Sequence, residues 1–147
     1  MATVLLATDA DWVLDEVEAA LVDEQTAIAR VRRGVDVLPA IAEVQPTLVV
    51  VDLQIGNMGG MAVCMSIRHE QAAGRLGDLP VLMLLDREAD VFLAQRSHAD
   101  GWLIKPLDAF RLRRAASALL AGETYREGMV GESLEVVAAA DEGTTGM

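Results

Sequence analysis

Leu48-Val49-Val50-Val51-Asp52 is an apolar run closed by a carboxylate. Four branched side chains in succession leave no polar face, which marks a strand buried on both sides of a parallel sheet. Open α/β sheets bind ligands at the carboxyl ends of their strands, so Asp52 stands at a site position. Two further runs end alike: Asp9 closes Thr3-Val4-Leu5-Leu6-Ala7, and Lys105 closes Gly101-Trp102-Leu103-Ile104 and precedes Pro106. Three strand ends thus bring two carboxylates and an ammonium to one rim.

Around this run, strand-like and helix-like segments alternate from Thr3 to Ala121. Strands are predicted over 3–8, 26–31, 47–52, 80–85 and 101–104, and helices over 11–23, 35–45, 60–72, 87–97 and 108–121. This alternation is that of an α/β fold with helices on both faces of a parallel sheet. Val13, Val17, Ala20 and Leu21 carry the helical period of the first helix, with Asp11 as its cap and Asp15 and Glu16 in its solvated first turns. Gly56, Gly59 and Gly60 punctuate the chain after the third strand, and Gly74, Gly77 and Pro80 before the fourth. Pro39 fits the second helix only if that helix starts near Leu38.

At 147 residues the chain fits one domain, expected over 1–121. Residues 122–147, with six acidic side chains and one basic, are expected to form a mobile tail, in which 133–138 could pair with a partner. The 52% hydrophobic content lacks an apolar stretch long enough for a membrane span, and no secretory signal pattern opens the sequence, which places the protein in the cytoplasm. The lone Cys64 agrees with a reducing compartment and reads as a buried helical residue. A formal charge of −11 argues against nucleic acid. The nearest basic patch, Arg111, Arg113 and Arg114, lies near the end of a predicted helix, where cations suit the dipole or a solvated face.

The acids Asp9 and Asp52 are candidate ligands for Mg²⁺, a small hard ion that takes carboxylate oxygens. Together with Val4-Leu5-Leu6-Ala7-Thr8-Asp9, the stretches Val49 through Gly60, Pro80 through Leu84 and Ala99 through Pro106 resemble the response-regulator receiver domain of two-component signalling. The resemblance implies a flavodoxin-like, doubly wound sheet of five parallel strands in the order 2-1-3-4-5 with five helices. It implies Asp52 as phosphoacceptor, Lys105 as the phosphoryl contact, and Mg²⁺ held by Asp9, Asp52 and the backbone carbonyl of Gln54. It also implies a cis Lys105-Pro106 bond, a histidine kinase or phosphotransfer protein as donor, and a downstream protein partner on the face of the fourth helix, fifth strand and fifth helix. Phe92, Trp102 and Phe110 are candidates for that face.

Several site positions depart from the family. Thr8 replaces one acid of the metal cluster, Leu85 replaces a phosphoryl-binding hydroxyl, and Asp86 puts a carboxylate where a small residue is usual. Gly56 and Gly59 suggest a flexible loop after Asp52. Trp102 takes the switch-aromatic position, either locked in one rotamer by Leu85 or simply packed. His69 and His98 read as helix-end residues, and Met58, Met61, Met65 and Met83 as core filler. Trp12, next to the pocket, reads as a packing or rim residue. The expected function is a stand-alone atypical receiver that is not an enzyme. The alternatives are a phosphorylation-independent scaffold and, on the likeness of Asp9-Ala10-Asp11 to the Asp-x-Asp signature, a haloacid-dehalogenase-like phosphatase.

Overall fold

In the computed structural model, which describes residues 1–128, the run Leu48–Asp52 forms strand β3, buried at all five positions. The chain enters through β1 (Ala2–Ala7), α1 (Asp11–Leu21), β2 (Thr26–Val31) and α2 (Val37–Val44). After β3 come α3 (Gly60–Ala72), β4 (Val81–Leu85), α4 (Val91–Arg96), β5 (Gly101–Ile104), α5 (Ala109–Leu120) and β6 (Tyr125–Arg126). The sheet is parallel throughout, in the order β2-β1-β3-β4-β5-β6, with five helices.

Successive strand residues face opposite sides, and two separate apolar layers result. Leu5, Val49, Val51, Met83, Leu85 and Trp102 pack on one face with residues of α2, α3 and α4. Val4, Leu6, Leu48, Val50, Leu82, Leu84 and Leu103 pack on the other with residues of α1 and α5. Cys64 is buried in the first layer, where its Sγ donates to the Ser97 carbonyl at 3.2 Å.

The sheet has six strands rather than the five expected. Tyr125–Arg126 pairs with Gly101 and Trp102, so the segment assigned to the tail begins as sheet edge. Two residues hold no apolar run and gave no strand signal. Residues 129–147, and with them 133–138, lie outside the described residues.

Smaller boundaries also move. Strand β1 stops at Ala7, leaving Thr8 and Asp9 just past its end. A 3-10 turn at Gly34–Asp36 precedes α2, and Pro39 is that helix's third residue, where the N–H has no helical acceptor to lose. The expected helix 87–97 divides into a 3-10 turn, Glu88–Asp90, and the six-residue α4. Ala10, not Asp11, occupies the N-cap of α1. Arg111, Arg113 and Arg114 lie in the first half of α5, the wrong end for a favourable cation–dipole interaction. Met83 is core and Met58 and Met61 pack against it, but Met65 is exposed.

Gly60 lets α3 start directly under β3, since a Cβ there would come within 2.7 Å of the Asp52 carbonyl and the Leu53 Cα. Gly60→Ala is therefore expected to lower stability by about 2 kcal/mol through overpacking against backbone. Gly77→Ala, where an added Cβ meets nothing within 4 Å, should be near neutral. Urea unfolding of the two variants checks both values.

Candidate functional site

Asp52 is the last residue of a strand covered on both faces, and only 2% of it is accessible. A carboxylate so placed needs donors around both oxygens. Its Oδ1 accepts from Lys105 Nζ at 2.8 Å and from the Gln54 amide at 3.1 Å. Its Oδ2 accepts from the Thr8 hydroxyl at 2.8 Å. Thr8 is itself fully buried, and its Oγ1 accepts from the Ala10 amide at 3.1 Å, which ties the β1 end to the start of α1. The residue replacing an acid thus acts as a donor to Asp52.

Lys105 reaches the site from the loop after β5, where its amide donates to the Leu85 carbonyl at 2.8 Å and its bond to Pro106 is cis. Its ammonium also donates to Asp86 Oδ1 at 2.7 Å and lies 5.6 Å from the centre of the Trp12 ring. Burial works against the Lys105 charge, but the hydrogen bonds and attraction of Asp52 and Asp86 outweigh it, leaving the pKa above the ordinary lysine value. Asp86 therefore shares the ammonium with Asp52.

Asp9 is exposed on the same rim, its Oδ2 accepting from the Gly56 amide at 3.2 Å. The loop beyond is held, since the Gly56 carbonyl accepts from the Gly34 amide at 3.2 Å. In that loop Asn57 and Met58, not Gly56 or Gly59, adopt positive φ. Asp11 turns outward to Arg30 and Arg32 at 3.1 and 3.3 Å, and the Arg30 hydrogen bond leads the interactions that hold its carboxyl below the usual range. Asp9 and Asp11 thus take different partners. His69 and His98 are exposed, His69 in the last turn of α3 and His98 just past α4.

Two carboxylates and the Gln54 carbonyl are the right kind of donor for Mg²⁺. The fit is incomplete: the oxygens of Asp52 and one oxygen of Asp9 already accept from Lys105, Thr8 and backbone amides. Among the described residues no group of three or more His, Cys, Asp or Glu side chains is placed to hold a metal.

The family model described as the response regulator receiver domain matches residues 4–117. The chain belongs to that family. The receiver is 30% identical over 122 residues to the transcriptional regulatory protein AfsQ1 of Streptomyces coelicolor, covering 82% of this chain and 52% of AfsQ1. It is 32% identical over 112 residues to the DNA-binding dual master transcriptional regulator RpaA of Synechocystis, covering 75% of this chain and 44% of RpaA. The chain thus spans about half the length of these relatives. Among solved structures, the receiver domain of NtrX from Brucella abortus matches with a TM-score of 0.69 and 26% identity, over 80% of this chain and 98% of that one. The isolated receiver domain of RcsB from Salmonella enterica shares the fold at a TM-score of 0.72 and 16% identity, over 89% of this chain and 96% of that one. No helix among the described residues is long and apolar enough to cross a membrane.

Trp102 is 1% exposed and shares the apolar layer of Leu85, so it lends the fourth-helix face no ring surface, whereas Phe92 and Phe110 are exposed. Its indole Nε1 donates to the Glu127 carbonyl at 2.8 Å. Sequence reading missed Glu127 and took Arg111 only as part of a basic patch. Arg111 stands in the first turn of α5, against the helix dipole, and that misplacement was the available signal that another carboxylate holds it.

Lys105 is the only lysine in the sequence, so its titration has no lysine background. Because its folded pKa is raised, its contribution to stability is complete below the unfolded value of 10.5 and is lost as the pH climbs through the folded value. Lys105→Met should cost about 3 kcal/mol near neutrality by stranding Asp52, and the gap from the wild type should narrow above that pH. Denaturant melts of both proteins between pH 8 and 12 measure the gap.

Proposed function

We propose that this receiver is an atypical signalling module of a two-component pathway, acting by protein–protein contact in a state not set by phosphate on Asp52. One observation carries this reading: Lys105, the one ammonium at the site, is bound to Asp52 and Asp86 together. A phosphoryl group on Asp52 would meet the Asp86 carboxylate across the same lysine. Two unit charges about 5 Å apart repel by about 3 kcal/mol at an effective dielectric near 20. Leu85, fully buried, offers no hydroxyl to offset that repulsion. A hydrogen bond to a charged group is worth about 1.5–3 kcal/mol, comparable with the coupling energy of a typical switch. The site therefore favours an unphosphorylated, permanently paired Asp52.

The downstream contact is a protein partner on the face of α4, β5 and α5, where Phe92 and Phe110 stand exposed. Nucleic-acid contact does not belong to this chain, since its formal charge of −11 opposes a phosphate backbone. It works in the cytoplasm. The second reading keeps Asp52 as a working phosphoacceptor, charged by a histidine kinase or phosphotransfer protein with Mg²⁺ on Asp9, Asp52 and the Gln54 carbonyl. It is favoured by Asp9 and Lys105 flanking Asp52 on one rim.

Intact-mass measurement with acetyl phosphate and Mg²⁺ separates the two. The first reading expects no phosphoryl adduct on the wild type, and an adduct absent from Asp52→Asn would reverse it in favour of the second. Leu85→Thr combined with Asp86→Ala should restore a phosphoryl adduct that Asp52→Asn then removes, read by the same mass shift.

A further inference from the structure

Residues 123–128 form a strap along the outer edge of β5, where Tyr125 and Arg126 pair with Gly101 and Trp102 and Glu127 makes a further set of contacts. Glu127 Oε1 accepts from the Ile104 amide at 2.9 Å, an edge donor of β5. Both Glu127 carboxylate oxygens also accept from Arg111, through Nε at 2.7 Å and through Nη2. The Glu127 amide donates to the Trp102 carbonyl at 3.4 Å, while the Glu127 carbonyl accepts from the Trp102 indole.

The receiving side is built in advance. Arg111 is fixed by the carbonyls of Ile104 and Pro106 at 2.8 and 2.7 Å and by Asp108 at 3.1 Å. The Glu127 carboxylate is the first of the influences that hold its guanidinium above its ordinary pKa. Gly101 makes room for the strap, since a Cβ there would stand 2.6 Å from the Tyr125 carbonyl. Gly122 and Gly128, both at positive φ, bound the segment at its two ends.

The geometry points to the β5 edge as a binding notch for an extended, carboxylate-bearing peptide segment, occupied in this chain by its own Glu127. The notch offers what such a segment needs: a strand edge whose Ile104 amide donates outward, a forked guanidinium for the carboxylate, and an indole N–H for the same residue's carbonyl. Two strap residues pair as strand, and the Glu127 carboxylate adds a side-chain latch. A partner presenting a Glu in an extended segment replaces the strap by strand addition and meets Trp102 and Arg111. This site is independent of phosphate on Asp52.

Full-length Glu127→Ala and Glu127→Gln test it, with hydrogen exchange at the Trp102 indole N–H and the Ile104 amide followed by NMR. Both positions should exchange at least tenfold faster in Glu127→Ala and by a smaller factor in Glu127→Gln, with the circular dichroism of the fold retained. The synthetic peptide Gly-Glu-Thr-Tyr-Arg-Glu-Gly, added at millimolar concentration, should restore slow exchange in Glu127→Ala. The same peptide with Ala at its second Glu should not restore it, and wild type should not respond to either. Unchanged exchange in the variants, cooperative unfolding of both, or an opened edge that ignores the peptide would each overturn the proposal.

Discussion

A negative charge at the end of a doubly covered strand is the constraint around which this domain is arranged. Asp52 cannot be left uncompensated in that position, because an isolated buried carboxylate costs several kcal/mol. Its compensation comes from three places in the chain: the residue after β1, the loop after β3 and the loop after β5. The strand order brings these places together, since β1 and β4 flank β3 and β5 lies one strand further. Pairing Asp52 thus pins the loops after three strands to one another, and the rim is as much a structural joint as a site.

That dual role gives the departures from the family a common sense. Thr8 lowers the negative charge of the rim and adds a donor, while Asp86 adds a second acceptor for the single ammonium. Each change makes the resting arrangement of the rim more complete. In the resting arrangement both oxygens of Asp52 and one oxygen of Asp9 accept from Thr8, Lys105 and backbone amides.

Much of this was legible in the sequence because it rests on repeated, local signals. The apolar runs ending at Ala7, Asp52, Leu85 and Ile104 announce the parallel sheet, and their charged neighbours announce the rim. Interactions between distant residues were not legible. Asp86 could be recognised as unusual, but that it would share Lys105 depended on how the loops after β4 and β5 meet. Tyr125–Arg126 has neither length nor alternation, and it becomes a strand only because Gly101 and Arg111 wait for it. The acidic composition after Gly122 suggested a solvated tail, yet one of those acids is the best-anchored carboxylate beyond Asp52.

The latch also has a consequence in time. Glu127 follows Ile104 by 23 residues, so on a ribosome adding about 5–20 residues per second it arrives about one to five seconds after the strand it covers. Through that interval β5 is the bare margin of the nascent sheet, the kind of margin that recruits other extended chains. In polysomes, where neighbouring nascent copies are close, the order of synthesis leaves this strand open to mispairing until residues 125–127 arrive.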